Sequence, residues 1–236
     1  MIWVFVALLV GWGNAGASIL GGTAQLPGGS LAYVLTGVTL VGLSLAIARR
    51  AGLDRAAMGL RSTAWPRGAL IGMGSGAAIA LAGIAGLQLA SLLVGAPVVY
   101  DPLRDVLQAD LVRHILFFLP LGAVLPEEVA FRGTLFGLLR RVGLRAALLG
   151  SAAAFALWHA AVAVVTVGET TVAAPSPWFI PAIAGALAVV FVGGVVLAWL
   201  RLLTDTLATP VAAHWSFNST LLVGLWATLP APTPHA

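Results

Sequence analysis

The sequence predicts an all-α protein, a bundle of about seven transmembrane helices with the N-terminus in the cytoplasm. Hydrophobic residues make up 60% of the 236 residues and charged residues only 8%, whereas a soluble domain carries about 25% charged residues. The apolar residues fall into runs near the length of about 20 residues that a helix needs to cross a bilayer. Short loops between these runs hold most of the basic residues, all of which are arginine. These three observations indicate a chain surrounded mainly by lipid.

Seven runs qualify as crossings, and counts of six to eight are compatible with the pattern. They lie at roughly 2–20, 31–48, 69–95, 111–141, 146–166, 178–200 and 206–228. The first run lacks a basic start and contains Trp12 and Asn14, where a signal peptide has an unbroken apolar core. We therefore expect it to be retained as a span. In the fourth run, Pro120 and Pro126 are expected to interrupt the helix.

The arginines set the orientation of the predicted bundle. They follow the second and fourth spans and end the sixth: Arg49, Arg50, Arg55, Arg61, Arg67, Arg140, Arg141, Arg145 and Arg201. The loops on the other side hold Asp101, Asp105, Asp110 and Glu169. Because arginine-rich loops stay in the cytoplasm, the N-terminus is expected there and the C-terminus outside. The net charge of +4 is small and spread over topogenic loops, so the composition argues against a nucleic-acid partner.

We expect one integral membrane domain over residues 1–236. Its parts are N-terminal spans at 1–110, a motif-bearing core at 111–228 and a disordered, proline-rich tail at 229–236. The chain has no cysteine, which excludes disulfides, thiol catalysis and thiolate metal ligands. The richness in Ala and Arg without Lys favours a bacterial origin, and hence the bacterial inner membrane as location.

A few polar side chains lie within the predicted spans, where each ionisable group costs about 2.5–3.5 kcal/mol on insertion scales. They are Glu127, Glu128, Arg132, His159, His214 and Asn218. Counted from the charged ends of their helices, those on three separate segments lie roughly 13–21 Å deep. Each residue alone is compatible with a structural ion pair or an interhelical hydrogen bond. Their shared depth favours a common functional site.

The side-chain types suit the hydrolysis of a peptide bond, which needs a base to activate water and donors for the oxyanion. Glu128 and Arg132 are four residues apart and share a helix face, as do His214 and Asn218. Arg132 would hold Glu128 charged and oriented. This leaves Glu127 as the expected base.

Three motifs carry a resemblance to a known family. Residues 127–132 read EEVAFR, 155–159 read FALWH and 214–218 read HWSFN. They resemble, in the same order, the E-E-x-x-x-R, F-x-x-x-H and H-x-x-x-N motifs of the CAAX-protease and bacteriocin-processing (Abi) family. The first three spans resemble the family only in being hydrophobic.

The resemblance implies an intramembrane endopeptidase in a lipid bilayer, acting on a membrane-associated peptide or protein such as a CAAX-type C-terminus or a leader peptide. It implies that Glu127 and His159 activate water and that His214 and Asn218 bind the oxyanion. Glu128 and Arg132 support the first motif, and Phe155 belongs to the second. The alternative is a catalytically silent member that serves as a bacteriocin-immunity factor or membrane scaffold. The oligomeric state is not visible in the sequence.

The cofactor requirement is left open between none and zinc. Glu127 or Glu128 together with His159 and His214 would supply three ligands and leave a position for water. The H-E-x-x-H motif of many zinc proteases is absent. A metal-free glutamate mechanism would use the same residues.

We make predictions for four further residues, two tryptophans and two amides. Trp158 neighbours His159 and Trp215 neighbours His214, so both are candidates to line a substrate groove, with lipid contact as the alternative. Isolated polar residues in apolar spans commonly bond a neighbouring helix. We expect this of Asn14 and Gln88.

Overall fold

The structure is a computed structural model that describes residues 1–20, 31–60, 65–95 and 97–229. Within these ranges the chain is helical and forms no β-strand, which confirms the predicted all-α class. The helices are α1 (Ile2–Leu20), α2 (Leu31–Arg50), α3 (Trp65–Val94), α4 (Gln108–Arg140), α5 (Ala146–Trp158), α6 (Ala160–Gly168), α7 (Phe179–Thr204) and α8 (Ala208–Ala227). Residues 230–236, most of the tail expected to be disordered, lie outside the described ranges, as does Arg61.

Each predicted crossing is helical, but fewer helices meet the length and hydropathy that a crossing requires. In the described part of the chain, α2, α3, α4 and α7 meet both, and α5 with α6 would make a fifth span. The described apolar stretch of α1, Ile2–Ser18, is shorter. Large apolar side chains are exposed on the outer faces of the helices, as lipid contact requires. The protein is thus a helical membrane bundle, and the count of seven crossings stays a prediction.

Helix α4 is the centre of the bundle. All residues from Pro126 to Leu139 except Val129 are buried. The two prolines lack the N–H that closes a normal helical turn. The helix nevertheless continues past them, with wider π-helical turns over His114–Phe118, Pro120–Val124 and Val129–Leu135. The expected interruption is therefore a widening of the helix rather than a break.

Helix α2 approaches α4 through two glycines. A Cβ on Gly37 would overlap the carbonyl oxygens of Leu121 and Gly122, and a Cβ on Gly122 would overlap the ring of Tyr33. This close contact lays Tyr33 beside the turn of α4 that carries Glu127. The two residues are near enough to interact electrostatically.

Helix α8 packs along α3 on a stripe of small residues. Gly68, Gly72 and Gly76 are spaced four apart, and a Cβ on any of them would overlap atoms of α8. Gly76 faces the backbone of Ala213, the residue before His214. Small residues at such spacing allow membrane helices to approach closely, and here they fix the position of His214.

The arginine-rich segments gather at one end of the bundle. Arg141 donates to the carbonyl oxygens of Ala51 at 2.7 Å and Gly52 at 2.9 Å. The guanidinium of Arg201, which is buried, donates to the carbonyl oxygens of Ala56 and Ala57. These contacts bring together the segments that follow α2 and α4 and the last turns of α7. Which side of the membrane they face stays a prediction.

The segments at the opposite end also meet. Tyr100 forms an isolated antiparallel bridge with Thr170, and the N–H of Asp101 donates to the carbonyl of Glu169 at 3.1 Å. The hydroxyl of Tyr100 donates to Glu169 Oε2 at 3.2 Å. Burial and the neighbouring carboxylate raise the pKa of Tyr100, so the hydroxyl remains a donor at neutral pH.

The fifth predicted crossing, 146–166, is bent rather than continuous. Helices α5 and α6 meet at His159 with an angle of 45°. His159 itself has φ −89° and ψ 7°, outside the helical range. The bend therefore falls on a residue of the predicted site.

Candidate active site

One cavity of about 1140 Å³ contains the polar residues singled out in the sequence. Glu127, His159, His214 and Asn218 all line it, although they come from three separate helical segments. Most of the remaining lining is apolar and comes from α1, α2, α3 and α7. A concave apolar site with a few convergent polar groups is the usual form of a substrate site.

Glu128 lies at the centre of a buried polar network. Its Oε1 accepts a hydrogen bond from Arg132 Nη1 at 3.0 Å and contacts His214 Nδ1 at 2.9 Å. Glu128 and Arg132 are fully buried. The carboxylate therefore connects α4 to α8 and orients the ring of His214. The sequence predicted the pairing with Arg132 and missed the bond to His214.

Arg132 has two further contacts. Its Nη2 donates to the carbonyl of Gly194 on α7 at 3.3 Å. The guanidinium lies 4.1 Å from the ring centroid of Phe155, in a cation–π arrangement. The same ring packs against the imidazoles of His159 and His214, at centroid distances of 4.5 and 5.9 Å. The Phe155 ring thus contacts all three side chains, Arg132, His159 and His214, and helps to set their relative positions.

Glu127 is the neighbouring carboxylate and has a different setting. Its Oε2 is buried, makes no hydrogen bond among the described residues and lies 3.8 Å from His159 Nε2. The side chain of Trp158 also lies close enough to interact with it. Both carboxylates have a buried Oε2 that makes no hydrogen bond to a described residue. Glu128 is held through its Oε1 by Arg132 and His214 and does not line the cavity, whereas Glu127 lines it.

Hydrogen-bond partners fix the tautomer of both histidines. His159 Nδ1 lies 2.8 Å from the carbonyl oxygen of Phe155, which can only accept, so Nδ1 carries the proton. The same reasoning puts a proton on His214 Nδ1, which faces Glu128. In each neutral ring Nε2 carries no proton and can therefore accept a hydrogen bond. In neutral His159 this nitrogen is an acceptor directed toward Glu127 Oε2.

Asn218 lies one turn after His214 on α8. It is half-buried, and its amide makes no hydrogen bond to another described residue. An amide in this state can donate to a ligand in the cavity.

The structure also adds residues that sequence reasoning did not assign to the site. Tyr33 and the buried His114 line the cavity. Neither belongs to a motif, and each reaches the cavity only through the packing of α2 and α4. Trp158 lines the cavity, whereas Trp215 does not and donates to the carbonyl of Ile115 at 2.9 Å. Gln88 is exposed, so its expected interhelical bond was wrong.

A metal site of three protein ligands does not fit these side chains. In the described ranges no three His, Asp or Glu residues lie together in a group able to hold a metal ion. Glu128 Oε1 is bonded to Arg132 and His214, so that oxygen is not free to bind a metal ion.

Comparison with known proteins identifies the family. Residues 110–220 match the family model described as type II CAAX prenyl endopeptidase Rce1-like. These residues make up just under half of the chain, and over them the chain belongs to this family. The matched region nearly coincides with the predicted core, 111–228, and contains all three motifs, whereas residues 1–109 and 221–236 are outside it. No curated protein and no solved structure matches the chain.

Proposed function

We propose that this protein is an intramembrane endopeptidase of the CAAX type that cleaves its substrate with a water molecule held between Glu127 and His159. The observation that carries the proposal is the position of Glu127 Oε2, which is buried, makes no hydrogen bond to a described residue and lies 3.8 Å from His159 Nε2 at the wall of the cavity. Family membership supports proteolysis at the level of the reaction class.

The pair has the chemistry to activate water. An ionised Glu127 and a neutral His159 both present acceptors, so a water molecule beside them would donate one O–H to each. Its oxygen lone pair would then face the substrate carbonyl carbon. As the oxygen attacks, Glu127 takes the proton and later delivers it to the amine nitrogen that leaves.

His214 and Asn218 suit the second requirement, stabilisation of the oxyanion. The Asn218 amide makes no hydrogen bond within the described part of the chain, and a proton on His214 Nε2 would make that ring a second donor. The buried Glu128 carboxylate would balance the resulting charge on His214 and hold the ring still. Donors fixed before the reaction are worth about 2.7–4 kcal/mol each in comparable oxyanion sites.

The cavity also constrains the substrate. Its volume of about 1140 Å³ and its largely apolar lining suit a peptide that carries a lipid or several apolar side chains. A prenylated C-terminal peptide and an apolar leader peptide are the two classes we propose. We place the enzyme in the bacterial inner membrane with the arginine-rich end of the bundle in the cytoplasm.

The test compares wild type, Glu127→Gln and the matched control Glu169→Gln. Glu169 lies outside the cavity lining, and a glutamine there can still accept from Tyr100. Each protein is expressed in membranes with a panel of prenylated and leader-type peptides, and each is assayed for rescue of a deletion strain. We expect cleavage and rescue by wild type and Glu169→Gln only. Rescue by Glu127→Gln equal to wild type, without cleavage by any variant, would replace the protease with the scaffold or immunity function.

A further inference from the structure

The bend between α5 and α6 has no cause in its own sequence. Sharp kinks arise at proline, at glycine or serine pairs, at wide turns, or where another group inserts into the hydrogen-bond ladder. From Ala152 to Val167 the chain contains no proline, glycine or serine. The break at His159 must therefore be imposed by a neighbouring element.

The inserted group is the side chain of Asn14 on α1. In an unbroken helix the N–H of Ala161 would donate to the carbonyl of Leu157. Here Asn14 Oδ1 accepts from Ala161 N at 2.7 Å, and Asn14 Nδ2 donates to Leu157 O at 2.8 Å. The amide thus replaces one helical hydrogen bond with two bonds of its own, across the turn centred on His159.

Two more observations show that α1 is shaped for this contact. Asn14 Nδ2 also donates to Val10 O on its own helix at 2.8 Å, so both amide hydrogens are used and the side chain is fixed. The preceding residue, Gly13, lies against Trp158, and a Cβ there would overlap both the indole and the carbonyl oxygen of Trp158. Only glycine permits the approach that brings Asn14 into the ladder.

We propose that Asn14 is a positioning residue for the reaction: it holds the turn at His159 open so that Nε2 faces Glu127. The effect of Asn14 on the rate rests on the proposed function. Its effect on the geometry of the turn at His159 rests on the structure alone. Without the amide, the bond from Ala161 N to Leu157 O can close and the turn can straighten. The imidazole would then move relative to Glu127. A displacement of about 1 Å in such a pair costs roughly 100-fold in rate.

The kinetic test uses Asn14→Leu, which is close in size and makes no hydrogen bond. We expect kcat to fall about 100-fold with KM little changed, because the cavity wall stays in place. Asn14→Asp keeps the acceptor for the N–H of Ala161, so its kcat should lie between those of wild type and Asn14→Leu. The control is Thr134→Val, which removes another buried interhelical bond, from Thr134 Oγ1 to Ser44 O at 3.2 Å, and should leave kcat unchanged.

A double-mutant cycle separates positioning from general stability. If Asn14 acts through His159, Asn14→Leu should have little further effect on the residual rate of His159→Ala. An equal loss in both backgrounds would overturn the proposal, as would an Asn14→Leu enzyme with the kcat of wild type.

A measurement independent of activity keeps the proposal testable if no substrate is cleaved. The chain has no cysteine, so Glu127→Cys and His159→Cys can be combined and joined by a short thiol crosslinker. We expect efficient crosslinking with Asn14 present and its loss in the added Asn14→Leu background. Equal crosslinking with and without Asn14 would overturn the positioning role. If crosslinking depends on Asn14 but the wild-type protein cleaves no substrate, the result would count against the proposed function alone.

Discussion

Replacement of Arg132 by methionine should be one of the most destabilising single changes in this protein. Arg132 and Glu128 are both completely buried, and their ion pair spans 3.0 Å. Loss of the cation leaves the carboxylate in a low-dielectric interior, with His214 as its remaining partner among the described residues. Breaking a buried pair from one side costs about 3–5 kcal/mol. The lost contact with the Phe155 ring, 4.1 Å away, adds to this cost.

The matched control is Arg113→Met, because Arg113 pairs with Asp110 at 2.8 Å on an exposed surface. Such a pair contributes about 0–1 kcal/mol. The double variant Arg132→Met with Glu128→Gln removes both charges, and it should recover most of the stability lost in the single variant. The free energy of unfolding is measured by equilibrium titration in mixed micelles. An Arg132→Met cost no larger than that of Arg113→Met, or a double variant less stable than the single one, would refute the reasoning.

Three further predictions follow from other parts of the structure. Gly76→Leu should push α8 away from α3, lower the melting temperature and abolish cleavage. Gly74→Leu should be tolerated, because the space around Gly74 is open. Equal effects of the two substitutions on the melting temperature would contradict the packing argument. Metal chelators should leave cleavage by the purified enzyme unchanged, because the described donors do not form a three-ligand group; inhibition reversed by zinc would contradict this. In the cysteine-free chain, Arg55→Cys and Asp105→Cys should react with an impermeant thiol reagent from opposite sides of the membrane, the first only from the cytoplasm. Labelling of both cysteines from the same side of the membrane would refute the predicted topology.

The sequence was sufficient for the fold class and for the grouping of residues along each helix. Spacing of four residues predicted that Glu128 faces Arg132, and the structure shows that bond. The ion pair is local to one helix, and a spacing of four residues is enough to bring its two side chains to one face. The sequence also placed His159 and His214 at similar depths. It could not show which carboxylate each would meet, since that depends on how α5 and α8 rotate against α4.

The features that sequence reasoning missed depend on contacts between distant segments. The bend at His159 comes from Asn14, whose side chain meets residues 143 and 147 positions later in the chain. The sequence predicted an interhelical bond for Asn14 but not its consequence for the site. The two prolines of α4 gave a wrong expectation of an interrupted helix. Packing against neighbouring helices lets the chain widen its turns and continue.

The central claim is that Glu127 activates water in the membrane-embedded cavity. The most direct measurement is cleavage of a prenylated C-terminal peptide by purified wild type and Glu127→Gln in proteoliposomes, with equal folding checked by thermal melting. Loss of a general base lowers the rate by about 10²–10⁴-fold. The account predicts a loss of this size in kcat for Glu127→Gln and none for Glu169→Gln. A Glu127→Gln enzyme that is folded and cleaves at the wild-type rate would contradict it.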